Sequence, residues 1–129
     1  MVESTTFDRR EWWALAAVAL PFVLGWALVS PWQNVPVIDD WVYAWSVEHF
    51  LKTGQLRVAE ISAIYPVTQI LWGTLFARLL GFSFGAIRLS TVVLAVVGCW
   101  AIYLTLRELR VSVPGSLAAA LTVAWHPVY

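Results

Sequence analysis

Apolar residues dominate the chain in long runs, and the few polar positions between them mark where one element ends and the next begins. Residues 12–30 carry no charge, close to the roughly 20 residues that cross the hydrocarbon of a bilayer at about 1.5 Å per residue. A second apolar run covers residues 87–106, charged only at Arg88 near its start, and a third starts at Pro114 and continues through residue 129. Between the first two, residues 31–86 form a segment of different character. There, Asp39 or Asp40 can open a helix that contains no Gly or Pro through Lys52 and stops at Thr53-Gly54. A further helix is expected over 66–80, with Pro66 in its first turn and the stretch from Gly81 to Gly85 as the loop behind it. The uncharged stretch 61–77 is at the short limit for a span. Tyr65, Thr68, Gln69 and Trp72 break its apolar surface, which favours an interfacial or partly re-entrant helix. Four aromatic residues of the first loop helix, Trp41, Tyr43, Trp45 and Phe50, suit a helix lying along the headgroup layer.

The fold class expected from this pattern is all-α: a polytopic transmembrane helical protein whose extracytoplasmic loop contains juxtamembrane helices. Composition agrees, with 60% apolar residues, 12% charged residues and nine Trp. Eight basic residues balance eight acidic ones and do not cluster, so a nucleic-acid partner is disfavoured. Cys99, the single cysteine, lies within an apolar run and reads as a small hydrophobe. Arg9 and Arg10 precede the first run, and Arg107 and Arg110 follow the second. By the positive-inside rule these ends are cytoplasmic and residues 31–86 are outside. The first run is too long for a signal peptide, and Leu28-Val29-Ser30-Pro31 is a poor cleavage site, so it reads as an uncleaved anchor in the plasma (inner) membrane.

Asp39 and Asp40 are the candidate chemistry. A carboxylate beside a membrane surface can take the proton of an attacking hydroxyl, bind a divalent cation, or simply cap a helix. Tyr43 stands four residues after Asp39, where its phenol can orient a carboxylate or meet a substrate. Arg88 stands at the point where the loop re-enters the bilayer, where a guanidinium can hold an anion through two parallel donors. It can equally snorkel to ordinary lipid. Lys52 and Arg78 are weaker candidates. His49 beside Glu48 lacks a second His or Cys at zinc-site spacing, and His126 reads as structural. No intramembrane ionisable residue marks a transport path.

The first span, the motif Asp39-Asp40-Trp41-Val42-Tyr43, the Thr53-Gly54 stop, and Gly-Phe-Ser-Phe-Gly-Ala-Ile-Arg-Leu-Ser-Thr leading into the next span together resemble the GT-C superfamily of polytopic glycosyltransferases. The branch in question holds the protein O-mannosyltransferases and the lipid A aminoarabinose transferases. The resemblance covers residues 10–129 and implies that the whole chain, 1–129, is the N-terminal part of a single GT-C-like transmembrane domain. It implies a sugar donor on polyprenyl phosphate, Asp39 as the catalytic carboxylate and Asp40 as its acidic neighbour, leaving open which of the two reaches the substrate, and a departing phosphate for which Arg88 is the best cation in this chain. Many members carry Asp-Glu here rather than Asp-Asp. Related enzymes bring a second acidic motif from a later external loop, so these 129 residues are expected to hold part of an active site and to be inactive alone. The cofactor is open, with a divalent metal compatible but not required. The competing class is a small non-enzymatic membrane subunit or assembly protein.

Overall fold

The computed structural model describes residues 8–37, 40–60 and 66–125. Asp39, Tyr65 and His126 lie outside the described residues, as does the end of the third apolar run. The described residues form five helices and no strand: α1 (Arg9–Val29), α2 (Asp40–Thr53), α3 (Val67–Leu80), α4 (Phe84–Glu108) and α5 (Val113–Trp125). Two of them, α1 and α4, are long and apolar enough to cross a membrane. At about 1.5 Å per residue, α3 covers roughly 21 Å, short of the ~30 Å hydrocarbon core.

Local chemistry explains the boundaries. Asp8 caps α1, its carboxylate accepting the Arg9 N–H at 2.6 Å, so the helix starts three residues before the uncharged run. At the end of α2, Gly54 takes φ +68°, the left-handed region open to glycine, and its N–H bonds the Phe50 carbonyl at 2.9 Å. The Thr53 hydroxyl closes the same turn by donating to His49 O at 2.8 Å. Ser83 caps α4, its Oγ accepting the Ala86 N–H at 3.1 Å, while Asn34 Oδ1 accepts the Phe84 N–H at 3.0 Å.

By internal contacts the chain divides into two compact units that share α4. One comprises the residues up to Val29 and from Leu94 onward, the other Ser30–Val93. In the first unit, Ala14 and Val18 of α1 pack with Cys99 and Tyr103 of α4 and Ala120 of α5. Trp100 Nε1 donates to Leu15 O at 2.9 Å. Glu11 accepts the Tyr103 hydroxyl and, at 2.9 Å, Arg107 Nε; the Arg107 guanidinium also reaches Val111 O. The start of α1 therefore lies beside the end of α4, and the two helices run antiparallel.

In the second unit, α2 packs on α3 through Ala44, Val47, Ile70 and Ala77, joined by Ile87 at the head of α4. Trp72 Nε1 ties α3 to α4 by donating to Ser90 O at 2.7 Å. The aromatics of α2 do not share one face. Tyr43 and Phe50 turn inward to this core, whereas Trp41 and Trp45 stay exposed. A 3.6-residue period puts positions 43, 47 and 50 on one side and 41 and 45 on another, so only the two tryptophans remain for an interfacial role.

Candidate functional site

The segment leaving α1, the first turn of α2 and the first turns of α4 converge on Arg88. Its Nε donates to Asp40 Oδ2 at 2.9 Å, and Nη2 reaches the same oxygen. Nη2 also donates to Val35 O at 2.6 Å, and Nη1 donates to Pro31 O at 3.1 Å and Gln33 O at 3.0 Å. A guanidinium has five N–H donors; here all five meet an acceptor of the chain itself. Its plane rests 5.6 Å from the Phe84 ring centroid. Asp40 uses its other oxygen to accept the Val37 N–H at 2.7 Å, which ties Val37 to the first residue of α2.

This arrangement has a physical cause. A chain leaving a helix exposes carbonyls with no intrahelical partner, and residues 31–35 cannot satisfy theirs within so short a loop. Arg88, 18% exposed in its side chain, supplies donors to three of them while Asp40, 22% exposed, balances its charge. A partly buried cation so paired is stable where an isolated one is not. The phosphate-ligand role expected for Arg88 would require exchanging one of these bonds for a phosphate oxygen.

Of the four expected site residues, the structure thus brings Asp40 and Arg88 together. Tyr43 lies elsewhere: its hydroxyl donates to the Gln69 carbonyl of α3 rather than to a carboxylate of the loop. Burial raises its phenol above the ordinary value of 10.0, against smaller opposing effects of the Ser90 side chain and the Gly73 backbone. In this arrangement its hydroxyl joins α2 to α3. Asp39, the expected base, is outside the described residues. Lys52 pairs with Glu48 at 2.6 Å, one turn apart on the surface of α2, and Arg78 is exposed on α3. His49 stacks on Trp45, ring centroids 5.4 Å apart. Among the described residues no group of three or more His, Cys, Asp or Glu comes together to hold a metal ion.

The Glu11–Tyr103–Arg107 cluster in the other unit escaped the sequence reading, which began the first span at Trp12 and so placed Glu11 outside it. The signal was an acid in the first turn of one long apolar helix and a base in the last turn of another.

No family model, curated protein or solved structure matches this chain.

Proposed function

We propose that the chain belongs to an integral membrane glycosyltransferase that moves a sugar from a polyprenyl-phosphate donor to an acceptor hydroxyl, with Asp39 as the base and Asp40 as the residue that holds the loop. The observation that carries this reading is an acidic pair placed between two membrane-length helices, with one carboxylate already committed. Asp40 is engaged by Val37 N–H and Arg88, which leaves its neighbour Asp39 as the carboxylate for chemistry. In the reaction, Asp39 takes the acceptor hydroxyl proton as that oxygen attacks the anomeric carbon. Polyprenyl phosphate departs from the opposite face, and configuration inverts.

The same reading puts the protein in the plasma membrane as a multi-pass helical protein, with the N-terminus inside and residues 31–86 outside. Support comes from the Glu11–Arg107 pair at 2.9 Å. It sets Arg9 and Arg10 at the same end of their unit as Arg107 and Arg110, giving that end the positive charge of a cytoplasmic face. Membrane lipid and the lipid-linked donor are its partners.

A non-enzymatic membrane subunit is the second reading, favoured by one observation: every donor of Arg88 is satisfied within the chain, as in a purely architectural clamp. Sequencing the reading frame on both sides separates the two at once, because the transferase requires a second external acidic motif. The chemical test is in vitro transfer by the complete encoded polypeptide, purified and reconstituted. Asp39→Asn keeps the size of the side chain and should lower turnover by about 10² to 10⁴ with unchanged folding. Near-wild-type turnover by an equally folded Asp39→Asn protein overturns the assignment of the base. Absence of transfer by the wild type from a mixed polyprenyl-phosphate sugar pool overturns the transferase reading.

A further inference from the structure

In the unit formed by Ser30–Val93, α2 and α3 pack side by side, and the sides they turn away from each other differ in kind. On α2 that side carries Trp41 and Trp45 together with Glu48, His49 and Lys52, the Glu48–Lys52 pair at 2.6 Å lying exposed. On α3 it carries Thr68, Leu71, Leu75 and Leu79 in a line about one turn apart, with no charge from Val67 to Ala77. The three leucines are 47%, 46% and 71% exposed, and Leu80 and Phe82 continue the open apolar surface. A row of large apolar side chains left uncovered in this way marks a contact surface.

Three observations decide what touches it. Helices within a membrane approach one another through small residues, and those of α3 are turned inward: Gly73, Thr74 and Ala77 are buried, Gly73 against Tyr43 of α2. Leucines at each turn of the outer side hold a further helix at a distance but suit fluid acyl chains. Next, Trp72 Nε1 donates to Ser90 O at 2.7 Å, and Ser90 is two residues, about 3 Å along the helix, beyond Arg88. The middle of α3 thus lies beside the start of the apolar run of α4, a helix long enough to cross a membrane, and meets the same surroundings. Finally, Arg78, the one charged residue of α3, is exposed in its last turn. There a long side chain can lie along the leucines and carry its guanidinium to a lipid phosphate.

We propose that α3 is the helix through which this loop rests on lipid, its Thr68–Leu71–Leu75–Leu79 side lying in the acyl chains of the leaflet that α4 enters, while Glu48, His49 and Lys52 of α2 stand in water. The inference rests on the membrane placement proposed above and is independent of the transferase chemistry. It parts from the sequence expectation, which laid α2 itself along the headgroup layer. Tyr43 is bonded to Gln69 O, and Ala44 and Val47 pack against Ile70 and Ala77, so α2 is carried on α3. The leucines thereby set the height of Asp40, the first residue of α2, above the acyl chains.

Spin labels on the full chain in phosphatidylcholine vesicles test it. Leu71→Cys, Leu75→Cys, His49→Cys, Lys52→Cys and, on α4, Val97→Cys are made singly in a Cys99→Ala background and labelled with a nitroxide. Relaxation of each label by oxygen, which concentrates in acyl chains, is compared with relaxation by a water-soluble nickel chelate present on both sides of the bilayer. The oxygen-to-nickel ratio should be about tenfold or more higher at positions 71 and 75 than at 49 and 52, as for a helix face sunk about 5–10 Å into the acyl boundary. It should be high at 97 as well, and helical circular dichroism should match in all five proteins. Nickel access at 71 and 75 equal to that at 49 and 52, with 97 in lipid, overturns the proposal. So does shielding of 71 and 75 from both agents, and dipolar broadening between labels at 75 would then identify a second copy as the occupant. Nickel access at 97 overturns the membrane placement itself, which keeps the two failures apart.

Discussion

Gly73 lies flat against Tyr43: a Cβ built on the glycine would stand 2.2 Å from the phenol oxygen, 3.0 Å from Cζ and 3.2 Å from Val47 Cγ2. The close approach of α3 to α2 depends on that missing carbon. Tyr43 cannot simply swing away, because its hydroxyl is bonded to Gln69 O and its ring is part of the core. Gly73→Ala should therefore destabilise the α2–α3 packing by about 1–3 kcal/mol, despite the roughly 0.8–1 kcal/mol that Ala gains in helix propensity. Adding Tyr43→Phe removes the closest atom and should recover part of the loss. Thermal unfolding of the two single variants and the double variant in nanodiscs measures this; strictly additive effects would show that the contact is absent.

The Tyr43 phenol also sets a pH dependence. Burial, the largest influence, raises its folded value above 10.0, so the fold favours the neutral form. That contribution is fully present below about pH 10, the unfolded value, and is lost as pH rises through the raised folded value. Tyr43→Phe, lacking the hydroxyl bond, should be less stable at neutral pH by about 1 kcal/mol, but flatter in alkali. Melting temperatures from pH 8 to 11 should show the two proteins converging. Parallel curves would refute the linkage.

Removing Arg88 strands Asp40 and three loop carbonyls together. Breaking a buried ion pair by deleting one partner costs about 3–5 kcal/mol, and side-chain exposures of 18% and 22% place this pair near the lower end. Arg88→Ala should lose that much, and Arg88→Lys most of it, because an ammonium has three donors and no planar fork. The double variant Asp40→Leu with Arg88→Leu should be more stable than either single one. Thermal unfolding in nanodiscs checks the order, and wild-type stability in Arg88→Lys would deny the clamp.

Orientation can be read by single-cysteine labelling in a Cys99→Ala background. Gln55 and Ser112 are both exposed. On the proposed topology, a cysteine at Gln55 reacts with an impermeant reagent in intact cells, and one at Ser112 reacts only after permeabilisation. The reverse pattern inverts the protein in its membrane.

Much of the helix inventory is legible in the sequence because its signals are local. The long apolar runs mark α1 and α4, and Asp40 and Thr53-Gly54 bracket α2 to within a residue. What escapes is whatever depends on a distant partner. Nothing between Trp41 and Phe50 tells Tyr43 to face inward, since aromatic residues occur on both sides of the helix; the choice is made by the absent side chain of Gly73, thirty residues on. Arg88 stands out as a cation at a loop's end, but three of its four partner residues contribute backbone carbonyls, which every residue has and no motif records.

Two arginines on α4 carry a consequence for how the protein would sit in lipid on the proposed topology. Arg88 is tied to the loop behind α1, and Arg107 to Glu11 at the start of α1. Along the helix, the path between them is about 28 Å at ~1.5 Å per residue, nearly the ~30 Å thickness of a bilayer's hydrocarbon core. With both cations held, α4 has no snorkelling arginine to extend or retract when the membrane around it changes. A thicker or thinner bilayer must then be met by tilt of the helix or by deformation of the lipid itself. On the proposed topology, α4 is thereby best matched to a hydrocarbon core of about 30 Å.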